Sequence, residues 1–360
     1  MAQIITFLGP HTGNRRSVAV AAAQSLAQSG HRVLLTLPDI GPVPTQLLPS
    51  GLTTEPTEIA PNLQALKLSA TSLLTQSWEE VKALEAQYLR SPFLKNVFGQ
   101  ELGILPGMSD ALALNALRIF DQSGDYDVIV FEGGDSFHAL RMWAIPETFS
   151  WYIRRFQKLF LDSDVGKTLG PFIQPISAAV LNVSWSADSL FQSAPASEGN
   201  ELLGAGRKAL ADPQRVVAYL VSNADADAIA ETNYLWGSAQ QVGLHVGGAL
   251  VLGSPDADAF APLTVTSLPE SGSVAEITAA LPNLRDLGMI PSPLDINVAE
   301  RRVKIFLPGF TKQQVKLTQS GPELTIEAGG QRRNLSLPKG LSGQSITGAK
   351  FEAPYLLITF

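Results

Sequence analysis

The run Val128-Ile-Val-Phe-Glu-Gly-Gly-Asp-Ser-Phe-His-Ala-Leu-Arg141 constrains the fold more than any other stretch of this chain. Its opening residues are apolar without alternation, the pattern of a strand covered on both faces. A carboxylate, Glu132, closes the strand. A Gly-rich acidic turn containing Gly133, Gly134 and Asp135 follows, and then a helix start. The amino terminus repeats this plan. An apolar strand over residues 4–8 leads into a loop containing Gly9 and Gly13, then into an alanine-rich helix over 17–29 that Gly30 stops. A strand over 31–37 follows. This is a βαβ unit, which requires a parallel pair and a right-handed crossover.

The alternation continues. Residues 63–68 read as a strand, 74–88 as an amphipathic helix, and 109–121 as a helix that Ser109 could cap. A strand over 126–131 precedes an aromatic-rich helix over 146–160. A polar loop over 187–196, a strand over 214–222, a helix over 225–242 and a strand over 247–253 complete the series. Such an order implies a doubly wound, mostly parallel α/β sheet over residues 1–290. After Pro291-Ser-Pro293 the period changes. Short strands with polar–apolar alternation are expected over 302–307, 314–318, 323–327, 331–337, 345–351 and 355–360, punctuated by Pro308-Gly309, Ser320-Gly321 and Gly329-Gly330. Residues 294–360 therefore read as a small all-β sandwich. Charge shifts at the same place: from Leu294 onward nine Lys/Arg face five Asp/Glu, whereas the whole chain carries a net −7.

That net charge argues against general nucleic-acid binding. The absence of cysteine excludes disulfides, thiolate zinc sites, cysteine nucleophiles and capture of arsenite by thiols. Only four histidines are present, none paired at helical spacing, so a histidine-rich metal site is not expected. The most apolar stretch, residues 169–181, is broken by Pro171 and Pro175 and is too short to span a bilayer. No secretory signal precedes the first strand, and a cytoplasmic location is expected.

A loop that binds phosphate needs glycines that expose backbone N–H groups, a lysine for the β/γ-phosphates and a hydroxyl for Mg²⁺. The run Gly9-Pro10-His11-Thr12-Gly13-Asn14-Arg15-Arg16-Ser17 stands where such a loop belongs. On that run the chain resembles the family of the arsenite-pump ATPase and the targeting ATPase for tail-anchored membrane proteins, whose loop reads G-K-G-G-V-G-K-T-T. Gly9 matches. Pro10 replaces the first lysine, Asn14 the last glycine, Arg15 the phosphate lysine and Arg16 the Mg²⁺-binding threonine. A slip of one residue would pair Arg16 with the lysine and Ser17 with the hydroxyl. Asn14 tolerates the left-handed backbone a glycine would supply, whereas arginine is larger and planar than lysine.

Other segments continue the resemblance. Arg32-Val-Leu-Leu-Thr-Leu-Pro-Asp-Ile-Gly-Pro42 resembles the family's switch I, with Asp39 on the aspartate that orients attacking water. Pro106-Gly107 with Ser109-Asp110 resembles a further family segment. Glu132-Gly-Gly-Asp-Ser-Phe-His-Ala-Leu-Arg141 resembles switch II, in which Glu132 replaces an aspartate while His138, Leu140 and Arg141 match. The run Arg302-Val-Lys-Ile-Phe-Leu-Pro-Gly-Phe-Thr-Lys-Gln-Gln-Val-Lys-Leu317, with Arg332-Arg333 and Ala349-Lys-Phe-Glu352, resembles an α-crystallin (small heat-shock) domain, without an I-x-I tail after it.

The resemblance implies a P-loop NTPase-type fold, a homodimer, and ATP with Mg²⁺ as cofactors; the residues themselves fix no cofactor. Nucleotide or anion would be held by Gly9, Gly13, Asn14, Arg15, Arg16 and Ser17, and Mg²⁺ by Ser17 and Glu132 if nucleotide binds. Switch II would comprise Glu132, Gly133, Gly134, His138 and Arg141. Two readings stay open for the loop: a vestigial turn, or an Arg15/Arg16 pair that still binds an anion. Two stay open for Glu132: a carboxylate satisfied by its own turn, or a ligand of Mg²⁺ waters. Asp39 either orients water or simply begins a turn. Phe149, Tyr152, Phe156 and Phe160 fall where the targeting family builds a groove for hydrophobic protein or membrane-protein clients, although aromatics at helical spacing also make cores. The expected function is a non-hydrolytic, client-binding or chaperone-like scaffold. The alternatives are an ATPase with a rearranged loop and a binder of another anionic metabolite.

Overall fold

The computed structural model describes residues 1–10, 14–39, 52–88, 96–101, 104, 107–162, 195–256 and 258–360. Strands β1 (Gln3–Leu8), β2 (Val33–Pro38), β3 (Thr57–Ala60), β4 (Leu63–Leu68), β5 (Val128–Phe131), β6 (Val216–Asn223), β7 (His245–Leu252) and β8 (Val265–Leu268) form one sheet. Their spatial order is β3-β4-β2-β5-β1-β6-β7-β8. Every pairing is parallel except β3 with β4 at the edge.

Helices cover both faces, as unbroken apolar strands require. Ile5 and Phe7 pack with Val18 to Ala23 of α1 (Arg15–Gln28) and with Ile277 of α7 (Val274–Ala280). Ile4 and Leu8 point to the opposite core. There they meet Leu117 of α3 (Met108–Ser123), Trp143 of α4 (Ser136–Asp162), Leu210 of α5 (Pro195–Leu210) and Trp236 of α6 (Ala226–Gln241). Helix α2 (Ala70–Tyr88) packs its Leu74 on Met108 and Leu112 of α3. Among the described residues, no helix is long and apolar enough to cross a membrane.

Three local expectations are corrected. Helix α1 begins at Arg15, so both arginines and Ser17 lie on its first turn. Ser109 lies inside α3; Gly107 occupies the cap with φ 82° and supplies no side-chain bond. The aromatic helix is not a separate element after Pro146, because Pro146 lies inside the 27-residue α4. Its ring packs on α5, where a Cβ at Gly206 would come within 3.1 Å of it. The expected loop over 187–196 falls largely outside the described residues. Strands β3 and β8 and helix α7 were not legible; each is short, and α7 is fixed by a Ser273–Glu276 capping box.

The carboxyl-terminal part is all β. A four-stranded sheet, ordered β14-β15-β10-β9, faces a three-stranded sheet, β11-β12-β13. The first contains β9 (Leu294–Asn297), β10 (Arg302–Phe306), β14 (Gly348–Glu352) and β15 (Tyr355–Thr359); the second contains β11 (Lys316–Ser320), β12 (Glu323–Ala328) and β13 (Gln331–Ser336). Val303, Ile305 and Ile358 from one sheet meet Leu324, Ile326 and Leu335 from the other. The sandwich sits on α6. Tyr234 and Phe310 rings lie 4.9 Å apart, and Trp236 and Phe306 rings 5.2 Å apart. A Cβ on Gly237 would lie 2.2 Å from the Pro308 carbonyl oxygen, so the helix and the β10 exit touch backbone to side.

Candidate functional site

β1 and β5 are neighbours, and their carboxyl ends release Gly9 and Glu132 side by side. This is where open parallel sheets bind ligands. Gly9 has no room for a side chain: a Cβ would stand 2.1 Å from the carbonyl oxygen of Val221 on β6. Gly134 turns the chain with φ 71°, a conformation that favours glycine. Asp135 then caps α4, its Oδ1 accepting the His138 N–H at 2.9 Å.

Glu132 is 1% exposed. Its backbone N–H continues the sheet by donating to Thr36 O. Its Oε1 accepts from the Gly134 N–H at 3.2 Å and from Arg15 Nε at 3.2 Å. Its Oε2 accepts no hydrogen bond, but Arg16 Nε stands 3.5 Å away as an ion-pair contact. The Arg15 guanidinium is itself buried. Its Nη1 donates to Gly9 O at 3.0 Å and to Ser136 Oγ at 2.9 Å. Ser136 closes the ring by accepting from the Gly9 N–H and donating to Gly9 O at 2.8 Å. The loop after β1, the turn after β5 and the first turn of α1 are thus joined through one buried guanidinium–carboxylate pair.

Ser136 was not singled out from the sequence, although its place just after the Gly-Gly-Asp turn was the available signal. Ser17 is half-buried on the first turn of α1. Gly13 lies outside the described residues. Asn14 is exposed at the α1 cap without a capping side-chain bond. Gly133 is confined: a Cβ would meet Ala139 Cβ at 2.8 Å.

Asp39 stands apart from this cluster. It follows β2, is half-exposed, and pairs with Lys67 Nζ of β4 at 3.6 Å. His138 and Arg141 are exposed on α4. They lie near Asp110 of α3: burial raises that carboxyl above its ordinary range, and the two neighbours pull it down. Phe149 and Tyr152 are 46% and 52% exposed. The side chains of Phe156 and Phe160 lie outside the described residues. Trp151 reaches the sandwich instead. Its Nε1 donates to Glu323 Oε2 at 3.1 Å, and Arg332 lies over its ring at 5.1 Å. That tie had no signal in the sequence, because it joins residues far apart in the chain.

In this arrangement the set does not fit Mg²⁺. A Mg²⁺ ion needs oxygen ligands at about 2.0–2.1 Å, and two guanidiniums already flank the Glu132 carboxylate. Among the described residues, no group of three His, Asp or Glu side chains is arranged to hold a metal.

Comparison with known proteins agrees with the fold. The anion-transporting ATPase family profile matches residues 3–253, and a profile for the HSP20-like domain found in ArsA matches residues 299–360. A protein of Prosthecochloris vibrioformis named "Putative arsenical pump-driving ATPase" is 24% identical over 396 aligned positions, covering 99% of this chain and 96% of its own length. A protein of the same name from Chlorobaculum tepidum is also 24% identical, with the same coverage. An uncharacterised protein of Streptomyces coelicolor is 25% identical over 380 positions, covering 98% and 95%. With one profile spanning more than half its length and the second placed on the sandwich, the chain belongs to the anion-transporting ATPase family and carries that family's HSP20-like domain.

Proposed function

We propose that this chain is a non-hydrolytic member of its family that acts as a client-binding, chaperone-like scaffold. The observation that carries the reading is the Arg15–Glu132 pair. The cation at the loop serves the protein's own carboxylate, whose Oε1 is taken by Arg15 and the Gly134 N–H and whose Oε2 lies against Arg16. To accept Mg–ATP, the protein would have to withdraw Arg15 from Glu132, Gly9 and Ser136. Breaking one partner of a buried pair costs about 3–5 kcal/mol. Replacing the lysine also forfeits a charge-assisted phosphate contact of about 1.5–3 kcal/mol.

The client surface in this reading starts at Phe149 and Tyr152, exposed on α4 beside the point where Trp151 meets the sandwich. Large exposed aromatics next to a partner domain are the chemistry that engages apolar segments. Residues 1–290 and 294–360 act as two domains, the second buttressing α4. A homodimer follows the family resemblance. Titration calorimetry with ATP and Mg²⁺, with a phosphate-release assay, tests the proposal. The expected outcome is neither binding heat nor turnover. Micromolar binding with turnover that disappears in Asp39→Asn would establish the rearranged-loop ATPase instead.

A further inference from the structure

A second cleft, of about 510 Å³, opens at the seam between the α/β body and the sandwich, far in sequence from the Gly9 loop. Glu147 of α4, Arg207 of α5, Gln241 of α6, His245 of β7, and Arg333 and Asn334 of β13 line it. Its volume falls within the range of small-molecule sites, about 300–1,000 Å³.

Three polar atoms at this cleft are buried and without a hydrogen-bond partner among the described residues: Arg207 Nε, His245 Nδ1 and Gln241 Oε1. Gln241 is 2% exposed and uses only its amide nitrogen, which donates to Ile326 O at 3.4 Å. Buried polar groups rarely stay unmatched, because each costs free energy unless something fills the gap. The lining is also cationic. Arg333 donates to the Gln240 carbonyl at 2.8 Å, a neutral acceptor, and burial pushes its guanidinium down to about 10. Glu147 sits 3.4 Å from Arg207. Burial lowers the His245 imidazole as well, a hydrogen bond to the Ala211 backbone opposes it, Arg333 adds to the lowering and Asp212 counters it. Two guanidiniums thus face one carboxylate among the described lining residues. The unmatched set contains a donor for an anion, Arg207 Nε, and an acceptor for a hydroxyl, Gln241 Oε1.

We infer that this seam cleft binds a small hydroxycarboxylate, whose carboxylates meet Arg207 and Arg333 and whose hydroxyl donates to Gln241. Because Arg333 comes from the sandwich and Arg207, Gln241 and His245 from the α/β body, the ligand clamps the two together. A molecule that binds only the folded, docked form raises stability by mass action.

Malate is the probe, with succinate as the same dianion lacking the hydroxyl. On the full chain, malate at about 10 mM is expected to raise the melting temperature measurably. Succinate should bind about fivefold more weakly, having no partner for Gln241 Oε1. Arg333→Gln should weaken malate by about tenfold or more. Arg207→Gln, at a residue whose side chain is 40% exposed, should do likewise while leaving the circular dichroism unchanged, so it decides the matter if Arg333→Gln does not fold. Arg16→Gln, at the other site, should leave malate affinity untouched, which separates this inference from the proposed function. No melting shift with either acid, or malate affinity in the cleft variants equal to that of the native chain, overturns the site. Equal affinity for malate and succinate overturns the hydroxyl assignment.

Discussion

Arg15 Nε lies 3.2 Å from Glu132 Oε1, with both side chains nearly closed to solvent. The two residues come from different elements, one on the first turn of α1 and one just after β5. If the pair is integral to the fold, Glu132→Ala should lower the unfolding free energy by about 3–5 kcal/mol, because it strands a buried cation. Replacing both partners, as Arg15→Met with Glu132→Met, should recover most of that loss. Urea denaturation of the three variants measures both effects; a double variant no more stable than Glu132→Ala would show that the pair is not the source.

The loop itself should be convertible. Asn14→Gly with Arg15→Lys and Arg16→Thr restores the family residues and removes both guanidiniums from Glu132. Mg–ATP should then raise the melting temperature of this variant and leave the native chain unmoved. Thermal melts with and without nucleotide report the difference, and a rise in the native chain would count against the self-paired loop.

Gly237 offers a test in which local and tertiary preference point in opposite directions. In an exposed helix interior, alanine is better than glycine by about 0.8–1.0 kcal/mol. Here a Cβ would come 2.2 Å from Pro308 O and 2.5 Å from Phe310. Gly237→Ala should therefore destabilise the chain and loosen the sandwich from α6, read as faster proteolysis within residues 290–310. Unchanged or improved stability would mean the contact gives way easily.

On α4, Phe149→Ser with Tyr152→Ser should change stability by no more than about 0.5 kcal/mol, the usual range for surface positions. The same variant should lose protection of an aggregating apolar client in a light-scattering assay. Loss of folding without loss of protection would reverse the assignment of these aromatics.

Asp127 supplies an acid-limb prediction. Hydrogen bonds from Arg32 hold its carboxyl at about 2, below the ordinary 3.8. A depressed carboxylate contributes stability above its unfolded value and loses it as pH falls through the folded value. The contribution should be complete above about pH 5 and lost progressively toward about pH 1. The pair is largely exposed, so its size is that of a surface ion pair, about 0.2–1 kcal/mol. Asp127→Asn should make the stability profile flatter by that amount between those limits, and a parallel profile would refute the assignment.

Much of this architecture was readable beforehand. Residues 4–8 and 128–131 are apolar without interruption, and such runs can be buried on both faces only in a covered parallel sheet. The Gly9 loop and the Glu132 turn were visible because loop chemistry leaves local marks: small residues where backbones crowd, and a carboxylate at a strand end. The alternating strands after Pro293 were equally plain. Short elements such as β3 and α7 escaped, since their length offers too few residues to set a period.

Residue order alone determined the folding class, the family and the two places where chemistry could occur. It left open what Glu132 and the two arginines do, because both readings of each were compatible with the local run. The tertiary structure decided that these groups face one another across the β1–β5 boundary, that Asp39 turns instead to Lys67, and that Trp151 is held by Glu323 and Arg332. Charge pairing depends on which chain ends meet in space and on how little water is between them, and neither follows from distance along the chain.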